Sequence, residues 1–249
     1  MSRSNSSSPQ VSIVIPVYRD YQALNRLLKQ LVGAWESKDF SYEVIIVDGK
    51  QNDDTGINVD TSQVIDSSLM TLSQISVMTH SPPQRAGQMN AGASKARGKL
   101  IWFVHADSKI PHKIDRVFEE FMNSERGWGR FNIWLDSTHP TLKLVAFMIN
   151  WRSRISGICT GDQGIFIHKA LFEALGQFPN QALMEDIELS KSLKVASEAP
   201  FIPPVKLGTS SRKWLKEGIW RTIFLMWRLR YSYWRGATPE QIHQRYYRR

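Results

Sequence analysis

The sequence predicts an α/β fold: a mostly parallel central sheet flanked by helices, with a C-terminal amphipathic helical tail. Three observations predict it. Short apolar runs rich in β-branched residues, VSIVIPV at 11–17, EVIIV at 43–47 and LIWFV at 100–104, read as strands buried on both faces. These runs alternate with segments of helical period, as in successive βαβ units. Polar groups follow the carboxyl ends of the runs, Asp48 after the second and His105-Ala106-Asp107 after the third. In open α/β sheets that rim is where ligands bind.

The elements follow in order. Residues 1–10 (MSRSNSSSPQ) are polar and serine-rich, lack the apolar core of a secretory signal, and are expected to be a disordered lead-in. Val11 to Val17 is the first strand. Asp20 is placed to cap a helix whose apolar spacing includes Leu24, Leu27, Leu28 and Leu31. Glu43 to Val47 is the second strand. Residues 50–74 show no clear period and leave room for one helix. Ile75 to Thr79 is a weaker strand, residues 85–97 a helix, Leu100 to Val104 a strand and Ile114 to Met122 a helix core. Trp128 to Leu135 and Gly164 to His168 are expected as later strands. Residues 184–195 are expected as a helix, ahead of the turn at Pro200, Pro203 and Pro204.

Composition narrows the function classes. The chain has 249 residues, 42% of them hydrophobic, enough for one large domain with an appendage. No uninterrupted apolar run reaches the 18 or so residues of a spanning helix. Cys159 is the only cysteine. It cannot form an intrachain disulfide, which predicts a cytoplasmic setting, and it reads as a small apolar filler. Lys206 to Arg249 holds eleven Lys or Arg against two Glu, a balance of +9 that equals the net charge of the whole chain. The chain therefore divides into a near-neutral body, 11–205, and a basic aromatic extension, 206–249. No Cys/His zinc spacing, Walker-type phosphate loop or Gly-x-Ser-x-Gly elbow occurs.

Candidate chemistry collects at four places. Asp107 ends a buried strand ahead of a loop, where a carboxylate can ligate Mg2+ or Mn2+, although a lone Asp there more often caps the turn. Asp48 ends the second strand. Arg85 and Asn90, within RAGQMNAG at 85–92, open a helix whose amides and guanidinium suit diphosphate oxygens. Glu185 and Asp186 are paired carboxylates at another helix start, where they also favour the helix dipole. Gly161-Asp162-Gln163-Gly164 has the polarity to meet sugar or acceptor hydroxyls, or serves as a turn. Arg130, in WGRFNIWLD, is a weaker candidate for the acceptor cleft. His80, His112, His139 and His168 read as ordinary surface or turn residues.

The ordered set resembles family-2 glycosyltransferases of the GT-A fold. VSIVIPVY at 11–18 resembles that family's first strand, and EVIIVDGKQNDDT at 43–55 its "VDDGSxDxT" segment. RAGQMNAGASKARGKLIWFVHADS at 85–108 resembles its helix, strand and metal motif, and MEDIELSKSL at 184–193 its "ED" motif. The HAD triplet, the RAGQMNAGA block, GDQGIFI at 161–167 and the tail resemble a bacterial subgroup, some of whose members carry an arsenosugar-biosynthesis label.

The resemblance implies an inverting enzyme that moves a sugar from a nucleotide-diphosphate donor to an acceptor hydroxyl, with a divalent cation assisting. It implies that Pro16, Val17, Tyr18 and Asp48 line the base and ribose site, and that Arg85 and Asn90 lie near the nucleotide. Asp107 would bind Mg2+ or Mn2+, and Asp186 would be the general base with Glu185 beside it. Frequency in the family favours UDP. Two positions depart from the pattern: His105 replaces the first Asp of Asp-x-Asp, and Gly49 replaces a second Asp. His105 is expected to meet a ribose hydroxyl or phosphate, or to pack as a neutral residue.

The tail GIWRTIFLMWRLRYSYWRG at 218–236 repeats Trp-Arg at intervals of seven. On a helix this sets Trp220, Trp227 and Trp234 along one side, with Phe224 and Tyr231 between them and Arg221, Arg228 and Arg235 adjacent. Residues 213–236 thus predict contact with an anionic membrane surface, on the inner membrane face. Packing on the body and a homodimer contact are the other uses of such a stripe. Thr238-Pro239 marks a further helix start. A nucleic-acid-binding module and a nucleotidyltransferase are the rival classes. No nucleic-acid partner is expected, because no such motif occurs and a Trp stripe suits lipid better than bases.

Overall fold

The computed structural model describes residues 8–37, 40–49, 65–70 and 72–247. Residues 1–7 of the predicted lead-in at 1–10, and most of the poorly periodic segment 50–74, lie outside the described residues; residues 8–10 are ordered instead, with Pro9 buried and Gln10 donating to Ser41 O at 2.9 Å and accepting from the Leu100 amide at 3.1 Å. Among those described, six strands form one sheet in the order β3-β2-β1-β4-β7-β5. β1 (Val11–Val17), β2 (Tyr42–Gly49), β3 (Ile75–His80) and β4 (Leu100–Phe103) are parallel, and β7 (Phe166–His168) runs antiparallel between β4 and β5 (Trp128–Gly129). A second sheet pairs β6 (Asn132–Leu135) with β8 (Lys206–Thr209) in parallel.

Alternation along each strand feeds two cores. Ile13, Ile15, Val44, Ile46, Trp102 and Val104 pack with Leu24, Leu27, Leu28 and Leu31 of α1 (Tyr21–Gly33) and with Phe118 and Phe121 of α4 (Ile114–Met122). Val14, Ile45, Val47, Ile101 and Phe103 pack on the opposite face. They meet Ala86, Met89 and Ala93 of α3 (Arg85–Lys95) and Leu189 and Leu193 of α7 (Glu185–Ala196). This three-layer arrangement is the one the alternating pattern predicts. Asp20 caps α1 as expected, its side chain accepting from the Ala23 amide at 3.3 Å. α3 comes close to the sheet because position 92 has no side chain. A Cβ there would stand 2.5 Å from Val14 Cγ1 and 2.9 Å from Val47 Cγ2.

Three differences from the sequence reading have physical causes. Trp128–Leu135 is not one strand. Gly129 lies so close to Phe166 that a Cβ would stand 2.2 Å from its ring, and the chain then leaves the main sheet. The Arg130 amide donates to Phe201 O at 3.0 Å and that of Phe131 to Gln163 O at 2.8 Å before β6 joins β8. α5 (Pro140–Ser156) is a 17-residue helix that the sequence reading does not contain. Its buried residues are only Leu142, Ala146 and Ser153, so its apolar side chains do not follow an inward stripe. Finally, residues 206–209 of the basic extension form β8, inside the body. Two short helices, α2 (Ser67–Met70) and α6 (Lys169–Ala174), complete the body.

Beyond β8 lie α8 (Arg212–Glu217), α9 (Ile219–Trp234) and α10 (Pro239–Tyr247). α9 docks through Leu225 and Leu229, which pack with Ile242, Leu183 and Met184. Its Trp220, Phe224, Trp227, Tyr231 and Trp234 remain exposed. No helix of the described residues is long and apolar enough to cross a membrane.

The α3–sheet approach generates a test: Gly92→Val is expected to destabilise the fold by about 1–3 kcal/mol through overpacking, read as a lower urea midpoint at unchanged slope.

Candidate active site

The carboxyl ends of β1 and β4 and the N-terminus of α3 enclose a cavity of about 400 Å3, lined by Pro16, Val17, Tyr18, Asp20, Arg85, Gln88, His105, Ala106 and Asp107. Gln88 closes its floor. Its amide donates to Val17 O and to Val47 O, both at 2.8 Å, clamping the ends of β1 and β2 together. Sequence reading passed over Gln88, yet it stands one helical turn after Arg85 and so shares its face. Tyr18 is exposed, with the Arg19 guanidinium 5.0 Å from its ring centroid. Asp48 sits behind this rim, 1% exposed, accepting from the Tyr21 hydroxyl at 3.1 and 3.2 Å. Burial and that carboxylate push the Tyr21 phenol up to about 12.

A chain of charges continues away from the cavity. Arg85 makes an ion pair through Nε with Glu185 Oε1, and Glu185 is 1% exposed. Burial alone would favour a neutral guanidine; the charges of Glu185, Asp186 and Asp162 more than offset it. His105 Nδ1–H donates to Asp162 Oδ1 at 3.1 Å. Burial would raise the Asp162 pKa, but the His105 hydrogen bond and charge, with Arg85, hold it below the ordinary carboxylate value. Asp162 therefore supplies a carboxylate beside His105, where the family pattern has an Asp in the histidine's own place. The His105 ring lies against Gly161, where a Cβ would meet Nε2 at 2.7 Å, so the ring and the 161–163 turn fit only with glycine there.

Asp186 is the best-held carboxylate. Its Oδ2 accepts from the Gly161 amide at 2.8 Å and its Oδ1 from the Ile187 amide at 2.9 Å. Burial raises its pKa, the Glu185 charge raises it further, and Arg85, the Gly161 amide and Arg230 oppose. The turn into α7 is set by Met184, which adopts φ 69°. For a non-glycine residue that conformation costs about 1–2 kcal/mol; here Met184 packs against the cluster of Leu225, Leu229 and Ile242. Asp107 is half-buried at the cavity wall. Burial raises its pKa, His105 lowers it, Asp162 raises it and Arg212 of α8 lowers it. Arg212 itself pairs with Asp20 at the cavity rim.

Three predicted residues occupy other positions. Asn90 spends its amide on Phe178, donating to the carbonyl at 2.8 Å and accepting from the amide at 3.1 Å, and does not line the cavity. Gln163 is buried and caps its own turn, accepting from the Thr160 amide at 3.1 Å and donating to Phe131 O at 3.3 Å. Arg130 is 0% exposed rather than facing an open cleft. Cys159 is fully buried, its thiol pushed up to about 12 by burial. It is the inert filler the sequence suggests.

The described residues contain no cluster of three or more His, Cys, Asp or Glu placed to hold a metal. Asp107, with Asp162 nearby, offers oxygen ligands of the kind Mg2+ and Mn2+ prefer. Such cations commonly keep waters and phosphate oxygens as their remaining ligands. The residues thus fit a cation delivered with a diphosphate, and do not make a complete protein-only cage.

The chain is similar to known proteins over part of its sequence and in its fold. The family model described as "Glycosyl transferase family 2" matches residues 12–128. An undecaprenyl-phosphate 4-deoxy-4-formamido-L-arabinose transferase of Salmonella paratyphi A is 31% identical over 166 residues, 64% of this chain and 47% of that protein. Its namesake from Sodalis glossinidius is 30% identical over 111 residues, 44% of this chain and 33% of that protein. The chain spans between a third and a half of these relatives' length. The crystal structure of S. aureus TarS 1–349 superposes with a TM-score of 0.63 at 16% identity, covering 84% of this chain and 62% of that one. TarS in complex with UDP-GlcNAc superposes with a TM-score of 0.60 at 17% identity, covering 81% and 58%. These superpositions establish the GT-A-like fold. Residues 12–128, a little under half of the chain, are similar to glycosyl transferase family 2.

Proposed function

We propose that the protein is an inverting glycosyltransferase that takes a sugar from a nucleotide-diphosphate donor. The observation that carries the reading is that Arg85, His105 and Asp107 line one cavity at the sheet's rim, with Glu185-Asp186 joined to it through Arg85 and Asp162 through His105. The nucleotide lies along Pro16, Val17 and Tyr18, with Asp48 behind them holding Tyr21. The N-terminal amides of α3 and Arg85 face the diphosphate. Asp107 would hold Mg2+ or Mn2+, which would supply charge neutralisation for the leaving diphosphate. Asp186 takes the proton from the acceptor oxygen as that oxygen attacks the anomeric carbon. UDP is the favoured nucleotide, in keeping with the UDP-GlcNAc complex of TarS.

The setting is a membrane surface. Besides the five aromatics of α9, α5 exposes Leu144, Phe147, Met148, Trp151 and Ile155. These follow a helical spacing and lie outside the small cluster of Leu135, Leu142 and Ala146 that seats α5. Two outward apolar faces flanked by Arg221, Arg228 and Arg235 suit a layer of anionic headgroups. The relatives named for undecaprenyl phosphate favour a lipid-linked acceptor.

Asp186→Asn is expected to lower kcat by about 100-fold or more with UDP binding intact, measured by product formation and by titration calorimetry. In the unsubstituted enzyme, burial and Glu185 raise the Asp186 pKa. The acid limb of kcat/KM should therefore lie above the ordinary aspartate value of about 3.9, activity rising as pH passes upward through it. Asp107→Asn should remove the Mn2+-dependent part of UDP affinity and leave the metal-free part unchanged. In flotation with phosphatidylglycerol vesicles, the protein should rise with lipid, and Trp151→Ser combined with Trp227→Ser should return it to the soluble fraction. Recovery of the unsubstituted protein in that fraction would reject the surface.

A further inference from the structure

Behind Asp186 lies a group of arginines that the donor chemistry does not use. Arg130 is 0% exposed, and its Nη1 donates to Phe131 O at 3.2 Å and to Asn132 Oδ1 at 3.1 Å. Its Nε and Nη2 are buried with no hydrogen-bond partner. Arg152, on α5, repeats the pattern: Nη1 donates to Ile158 O at 3.4 Å, and Nε and Nη2 are buried without partners. Arg230, half-buried on α9, is close enough for Arg152 to feel its charge as well as that of Arg130. Burial and this mutual repulsion bring the Arg152 guanidinium down to about 10. Two carboxylates act on the group electrostatically: Asp186, whose oxygens already accept two backbone amides, and Asp162, which reaches Arg230 and is already engaged with His105. Four buried guanidinium nitrogens without acceptors, beside a third arginine and two engaged carboxylates, are an incompletely compensated cationic recess. Buried donors of this kind are satisfied in working proteins by a partner.

We infer that Arg130, Arg152 and Arg230 form a binding site for a phosphate monoester belonging to the acceptor. This deepens the transferase reading and rests on it. A carboxylate is satisfied by one guanidinium fork; a tetrahedral phosphate presents three oxygens and up to two charges, matching several forks at once. The recess adjoins Asp186, the residue assigned to meet the acceptor. Two of its three arginines are carried by α5 and α9, the helices whose outer faces are apolar. An acceptor made of an alkyl chain ending in phosphate would lie with its chain toward those faces and its headgroup inward. The arginines bind and orient; no bond is made or broken at them.

The test uses the full chain with its donor cavity filled by saturating UDP and Mn2+, so that phosphate cannot report on Arg85. Titration calorimetry is carried out with inorganic phosphate, decyl phosphate, decanoate and decanol. Decyl phosphate should bind at least ten-fold more tightly than decanoate or decanol. Arg152→Gln and Arg230→Gln should each weaken it ten-fold or more while leaving UDP affinity unchanged. Inorganic phosphate binding as well as decyl phosphate would assign the recess to a free anion and overturn the acceptor assignment. Decyl phosphate affinity unchanged in both variants would overturn the site itself. Arg130→Met serves as a third variant where it folds, and the two helix variants decide the matter where it does not. If UDP fails to bind while decyl phosphate binds in an arginine-dependent way, the subsite stands and the donor reading falls.

Discussion

One guanidinium holds the candidate site together. Arg85, at the start of α3, faces Glu185 directly and Asp186 and Asp162 at longer range. Without it, three carboxylates would share a partly dry region beside the cavity, and like charges there would drive protons onto some of them. With it, Asp162 stays acidic and can fix His105, while Asp186 keeps a raised but usable pKa. The arrangement also ties the first half of the chain to the second. Arg85 and Glu185 are a hundred positions apart, and their contact brings the N-terminus of α7 beside that of α3, which borders the cavity. A buried pair of this kind is weak evidence for stability; its value here is positional.

The two halves of the site differ in how they are built. The donor side is made by backbone: strand ends pinned by Gln88, amides of α3 and a rim of Pro16 to Tyr18. The acceptor side is made by side chains from elements distant in sequence, the 161–163 turn, α5, α7 and α9. A parallel sheet fixes the first arrangement wherever its strands are paired. The second requires the late helices to settle correctly, and α5 and α7 carry several of the buried polar atoms without partners among the described residues.

This division explains what could be read from the sequence. The parallel strands and their helices were legible because fully buried strands and helical stripes impose their periods on the residues. Asp107, Arg85, Glu185 and Asp186 were legible because each directly follows or opens such an element. α5 was missed because its apolar residues face outward, although Pro140 at its first position and Gly157 after its last are the usual boundary signals. Arg230 carries no sign in the sequence that separates it from the neighbouring stripe of Arg221, Arg228 and Arg235. Two residues from Arg228, it is turned about 200° around the helix and faces the body instead. Gln163 was read as a ligand contact for its polarity, and Asn90 because the family resemblance implies a place near the nucleotide. In the fold both satisfy backbone groups that no strand or helix would otherwise pair, a need that appears only once the loops are closed. Gly129 carried no visible sign of ending a strand, since the obstacle is the Phe166 ring from another element.

α9 touches two environments at once. Its Tyr233 hydroxyl donates to Glu188 Oε1 at 2.6 Å, on the same α7 that carries Asp186, and its Arg230 senses the Asp186 charge. The outer side of that helix is the aromatic row. Any load on the row that shifts the helix must also alter the electrostatic balance at the carboxylate. Thermodynamic reciprocity then requires the converse: whatever occupies the inner recess changes, by the same factor, how strongly the outer row holds its own partner.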